Sequence, residues 1–141
     1  MVCTFFGHSN TPYTIKATLK TILIDLIENK KVNMFYVGNE GSFDRMARDL
    51  LKELKTTHRI NYYVVLAYIP QKSDDNDYTD SIYFDELNSK PHRVRIVERN
   101  KLMINKSDVV VTYVTHITGG ASEFKALAER KGKIVINVSK F

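Results

Sequence analysis

Cysteine is almost missing from this sequence: Cys3 is the single one in 141 residues. That excludes an internal disulfide, and the expected setting is reducing and cytoplasmic. Long apolar runs are missing as well. No window approaches the roughly 18 apolar residues of a membrane helix, so no membrane partner is expected. The opening stretch Val2 to Phe6 is too short, and too interrupted by Thr4, for a signal peptide. Lysine and arginine are spread along the chain with no block of like charge. The histidines His8, His58, His92 and His116 and the thiol of Cys3 show no metal-ligand spacing, so no metal is expected. Nor is a cofactor. There is no internal repeat and no low-complexity tract. Two nucleotide signatures are also absent: GxGxxG does not follow the first strand candidate, and GxxxxGK[ST] occurs nowhere.

What remains is an ordinary globular composition, 43% hydrophobic and 26% charged. The length suits one domain over residues 1–141. A chain of this size buries roughly 68% of its unfolded surface, enough for a core without staples. The formal charge is +5. It suits an anionic ligand and weakly permits nucleic acid, and it reads equally well as a solubility charge.

Short apolar runs alternate with longer amphipathic ones. Val2–Phe6, Asn33–Val37, Ile60–Ile69, Asp108–Val114 and Ile134–Val138 read as strands, the third and fourth apolar enough to be buried on both faces. Ile15, Leu19, Ile22, Leu23, Leu26 and Ile27 recur at helical spacing, with Thr11 as N-cap and Pro12 as the first helical residue. Ser42 reads as the cap of a second helix carrying Phe43, Met46, Leu50 and Leu54. The second half of Val94–Lys106 and the stretch from Ala121 to Lys131 read as helices, the latter closed by Gly132. Pro70 to Pro91, with five Asp, reads as a long loop or lid. Alternating strands and helices predict an α/β, Rossmann-like three-layer domain: a mostly parallel sheet flanked by helices. The crossover rule then sets every strand's carboxyl end on one edge.

Three glycine turns fall on that edge, each after a strand and before a helix. They are Gly7-His8, Gly38-Asn39-Glu40-Gly41, and Thr118-Gly119-Gly120-Ala121-Ser122. Ligands of open α/β sheets lie outside the strand carboxyl ends, where helix N-termini and free amides favour phosphate. Any single glycine here reads as turn punctuation; three on one edge point to a ligand site. Asn39 and Ser42 read either as ribose or phosphate contacts or as turn and cap residues. His8 and His116 read as hydrogen-bonding wall residues rather than bases. Tyr68, Tyr78 and Tyr83 read as packing residues, with base stacking as the alternative.

Val97-Glu98-Arg99-Asn100-Lys101-Leu102-Met103, Ser107-Asp108-Val109-Val110-Val111 and Thr118-Gly119-Gly120 together resemble the core signature of the SLOG superfamily. That superfamily groups the DNA-processing protein Smf/DprA with the cytokinin-activating LOG phosphoribohydrolases. Cys3-Thr4-Phe5-Phe6-Gly7-His8, Phe35 to Asp44, Val65 to Pro70 and Thr112 to His116 resemble its single-domain YpsA-like branch. The resemblance spans almost the whole chain. It implies that Arg99 contacts the ligand and that Gly119-Gly120 stand where LOG enzymes have the glycine pair of PGGxGTxxE. Thr118 replaces the Pro, Ser122-Glu123 replace GT, and the Glu position is assigned to Lys125. A carboxylate stabilises an oxocarbenium-like transition state and an ammonium opposes it, so turnover is disfavoured and no catalytic residue is assigned. Glu123 reads as a first-turn partner of the helix dipole.

The expected function is therefore binding of a nucleotide-derived small molecule, a nucleotide or an ADP-ribose-like signal, as sensor or ligand sink. The expected ligand residues are Gly7, His8, Gly38, Asn39, Gly41, Ser42, Arg99, Thr118, Gly119, Gly120, Ala121 and Ser122. The alternatives are a LOG-like phosphoribohydrolase and a protein-interaction role in bacterial growth or division. Single-stranded nucleic acid is the weaker partner, and a homodimer is implied by analogy with SLOG relatives alone.

Overall fold

A computed structural model describes residues 1–71 and 77–141. The chain runs β1 (Val2–Gly7), α1 (Lys16–Asn29), β2 (Met34–Val37), α2 (Gly41–Leu54), β3 (Asn61–Leu66), β4 (Ser81–Tyr83), α3 (Arg95–Asn105), β5 (Val109–Tyr113), α4 (Gly120–Arg130) and β6 (Ile134–Asn137). The six strands form one all-parallel sheet in the order β4-β3-β2-β1-β5-β6. This is the three-layer α/β arrangement that the alternation of elements predicts.

Side chains alternate between the two faces of a strand, so each strand feeds two cores. Cys3, Phe5, Phe35, Val37, Tyr62, Val64, Val109 and Val111 pack under α1 and α2 against Leu19, Leu23, Phe43, Met46 and Leu50. Phe6, Val65 and Val110 pack on the opposite face, against Met103 and Ile104 of α3 and Ala128 of α4. The Cys3 thiol is fully buried, and burial pushes its pKa up, out of reach of thiolate chemistry.

From β1 the sheet grows one way through β2 and β3 to β4. The chain then returns through α3 and adds β5 and β6 on the other side of β1. The order reverses between β1 and β5, so the turns after these two strands diverge over a crevice. Among the described residues no helix is long and apolar enough to cross a membrane.

Four local expectations are corrected. Thr11 is not an N-cap: its hydroxyl donates to the His8 carbonyl at 2.6 Å, Pro12 is extended, and a 3₁₀ turn over Tyr13–Ile15 precedes α1. Ser42 is inside α2, because Gly41 already begins that helix. α3 takes up the stretch from Arg95 onward, not only its second half. The 70–91 stretch is not all loop. It carries the edge strand β4 and a 3₁₀ turn at Asp85–Ser89, with Leu87 fully buried. Three residues of strand are too few to show a period. Asp80 pins this segment to the body: it accepts both Arg48 Nε (2.9 Å) and Arg48 Nη2 (3.0 Å), and the Tyr62 hydroxyl at 2.9 Å. Residues 72–76 of the expected lid lie outside the described residues.

Candidate functional site

The turn after β1 is held from both sides. The His8 amide donates to the Tyr113 carbonyl at 3.3 Å, tying it to the end of β5. His8 Nε2 accepts the Thr115 amide at 3.0 Å, which requires a neutral ring. The His116 imidazole lies flat on it, ring centres 3.9 Å apart and planes 4° from parallel. Burial, and secondarily His116, push the His8 pKa below 6.5 and keep that acceptor available. The two histidines thus join the loops across the β1/β5 switch point.

The turn after β2 is stitched onto the first. Ser42 donates its amide to the Ser9 carbonyl (2.8 Å) and its hydroxyl to the Thr11 carbonyl (2.9 Å). Gly41 sits at φ +88°, and a Cβ there would meet Ser9 Cα at 2.5 Å. Both the conformation and the close approach demand glycine.

Arg99 of α3 is only 1% exposed. Its Nη1 donates to Asn39 Oδ1 (2.7 Å) and to the Val65 carbonyl (3.1 Å), and its Nε donates to Asn100 Oδ1 (2.9 Å). Nη2 lies 3.9 Å from the exposed Glu40 carboxylate. Burial lowers the guanidinium pKa, and Asp44 and Glu40 oppose that shift. Asp44 lies in the first turn of α2 and takes the Glu40 amide on Oδ2 at 2.9 Å. Burial raises its pKa to about 7, against the pull of that amide and of Arg99.

The turn after β5 delivers Gly119 at φ +96° as the N-cap of α4. Glycine has no side chain to cap the first amides of α4, and among the described residues no other side chain does so.

These elements enclose a cleft of about 610 Å³. Of the expected ligand residues it brings together Gly7, His8, Arg99, Gly119, Gly120 and Ala121. Gly38, Asn39, Gly41 and Ser42 stand behind it: Asn39 orients Arg99, and Ser42 and Gly41 fasten the two turns to each other. Thr118 and Ser122 flank the α4 turn without lining the cleft. The lining adds Ser9, Asn10, Glu40, Asp44, Asn100 and His116, and an apolar wall of Ile96, Val97, Met103 and Phe124. Glu40 and Asp44 carry no site signal in the sequence, where they look like a turn residue and a partner of the helix dipole.

Tyr68 and Tyr83 are engaged elsewhere: Tyr68 donates to the His92 carbonyl at 3.0 Å, and Tyr83 to Asn88 at 3.0 Å. Lys125 pairs with Glu129 at 3.0 Å and does not line the cleft. The assignment of the LOG carboxylate position to it needs correction, since PGGxGTxxE laid from Thr118 ends one residue later, at Ala126. Neither residue carries a carboxylate. Among the described residues no three His, Cys, Asp or Glu side chains group to hold a metal. No model of a known protein family matches this chain, and no curated protein matches it either.

Proposed function

We propose that the cleft binds a nucleotide-derived ligand, a nucleotide or an ADP-ribose-like signal, and that the chain works as its sensor or sink. The observation that carries this reading is the meeting of the β1 and β5 turns at the sheet's switch point, with the uncapped start of α4 beside the buried Arg99. Uncapped amides at a positive helix end receive a phosphate, and glycine lets the backbone approach it. The apolar wall of Ile96, Val97, Met103 and Phe124 suits the face of a base. The resemblance to the SLOG superfamily points the same way, and a homodimer belongs to that analogy.

A thermal-shift panel of nucleosides, nucleotides and ADP-ribose tests the reading. A ligand at 100 times its dissociation constant stabilises by about 2.7 kcal/mol. Mass spectrometry of small molecules released from the purified protein tests it without a panel. No shift at millimolar concentration of any member, and nothing released, would contradict it.

A second reading, hydrolysis of the ligand's N-glycosidic bond, is favoured by Asp44 and Glu40. They bring into the cleft carboxyl groups that α4 does not supply. Free base released in overnight incubations, and lost in Asp44→Asn, would establish it.

A further inference from the structure

We infer that the amino edge of the sheet, opposite the cleft, is a docking surface for the phosphate backbone of double-stranded DNA, bound without sequence preference.

The edge is built from the stretches 30–33, 55–60, 106–108 and 130–133, each of which leads out of a helix into β2, β3, β5 or β6. Val2 pairs with Met34, Met34 with Asn61, Cys3 with Val109 and Val109 with Ile134, so these strands start level with β1 and the four stretches stand in one row. At a strand spacing of roughly 4.8 Å, the row from β3 to β6 is about 19 Å long. It holds eight Lys and Arg residues and one acid, Asp108. The whole chain carries only +5, so everything outside the row is net acidic.

These cations are open to a partner. Lys106 pairs with Glu86 at 2.7 Å. Among the described residues the other seven pair with no carboxylate, and all but the half-buried Lys133 are exposed. Asp108 is engaged within the sheet, where its Oδ2 accepts the Val2 amide at 2.9 Å.

Helix dipoles account for part of the row. Lys30, Lys55, Lys106 and Lys131 are the C-caps of α1, α2, α3 and α4, where a cation is favoured. That effect ends within the last turn, so it does not account for Arg59 or Lys133. Lys31 is placed against its own backbone preference. It sits at φ +60°, in the left-handed region that favours glycine, whereas the turn after α4 has Gly132 there at φ +74°.

A row of fixed cations suits a partner whose charges also lie in a line. Phosphate contacts of this kind position a duplex without reading its bases. Single strands are held by stacking on aromatic rings, and the four stretches contain no Phe, Tyr or Trp. Duplex RNA is recognised through its 2′-hydroxyls as well as its phosphates, and the row's one carboxylate is taken up by Val2.

Fluorescence anisotropy of the full chain with two labelled DNA duplexes of unrelated sequence tests the inference. Both should bind equally, with log affinity falling against log salt at a slope of about 3 or more. Lys31→Gly relieves the left-handed backbone, so it should melt no lower than wild type, while the slope falls by about one. Lys131→Gln with Lys133→Gln should weaken binding about 10-fold or more at about 50 mM salt. Lys16→Gln with Lys101→Gln removes the same charge from elsewhere and should cost less than about threefold. Equal losses in the two double variants, or no binding of either duplex at about 50 mM salt, would overturn the inference. So would tighter binding of the single strand or of the RNA duplex of the same sequence, or binding of phosphatidylserine vesicles in place of DNA.

Discussion

Arg99 Nη1 donates a 2.7 Å hydrogen bond to Asn39 Oδ1, joining the centre of α3 to the turn after β2 across the floor of the cleft. The same nitrogen reaches the Val65 carbonyl at the end of β3. One buried guanidinium thus fixes three elements that shape the site.

Arg99→Ala is therefore expected to damage the fold as well as the cleft. Removing one partner of a buried, hydrogen-bonded charge costs about 3–5 kcal/mol. Arg99→Lys keeps the charge but not the fork, and should recover only part of that loss. Lys101 is exposed, with a 3.8 Å pair to Glu98, so Lys101→Ala should change stability by less than about 0.5 kcal/mol. Urea denaturation of the three variants checks this. An Arg99→Ala midpoint equal to wild type would contradict the structural role.

Asp44 gives a pH signature. Its pKa is about 7 in the folded chain, above the 3.8 of an ordinary Asp. Between these values the folded state holds more protons than the unfolded state, so stability falls as pH rises from about 4 to about 7. Asp44→Asn keeps an acceptor for the Glu40 amide and removes the ionisation. It should be more stable than wild type at pH 8 and should lack this part of the pH dependence. Denaturation curves at pH 4.5, 6 and 8 decide it; parallel wild-type and variant profiles would count against the assignment.

His8 shows the opposite sign. Its folded pKa lies below 6.5, so its contribution is present above pH 6.5 and is lost as pH falls through the folded pKa. The Thr115 amide loses its acceptor when the ring is protonated. In His116→Ala the His8 pKa should rise toward 6.5, as read by NMR titration of the ring. An unchanged value would mean that the stacked ring has no electrostatic effect on His8.

The glycines divide into two kinds. Gly41→Ala should cost several kcal/mol, because φ +88° and the Ser9 backbone both oppose a Cβ. Gly120 has nothing within 4 Å of such an atom. Gly120→Ala should fold normally and bind ligand more weakly. Thermal melts with and without nucleotide separate the two. Equal destabilisation by both substitutions would contradict the division.

Much of this architecture is legible from pattern. The buried runs at Ile60–Leu66 and Val109–Val111 mark central strands because both faces are covered, and the glycine turns fall where strands hand over to helices. β4 is hidden because Ser81–Tyr83 is shorter than two alternations, and what holds it is the distant Arg48–Asp80 pair. Arg99 stands out as a residue, but its burial does not. Its i,i+4 spacing from Met103 put it on the buried face of α3, and a charged side chain argues against reading that face as core. Asp44 and Glu40 are inconspicuous because only the fold brings the start of α2 against α3 and the β1 turn.

The most direct measurement is an NMR titration of the ¹⁵N-labelled chain with ribonucleoside 5′-monophosphates. Saturable amide shifts are expected at Gly7, His8, Gly119, Gly120 and Ala121, the residues of the two turns that meet at the β1/β5 switch point. Saturable shifts confined to residues away from the cleft, such as the exposed face of α1, or no shifts at millimolar nucleotide, would contradict a nucleotide site there.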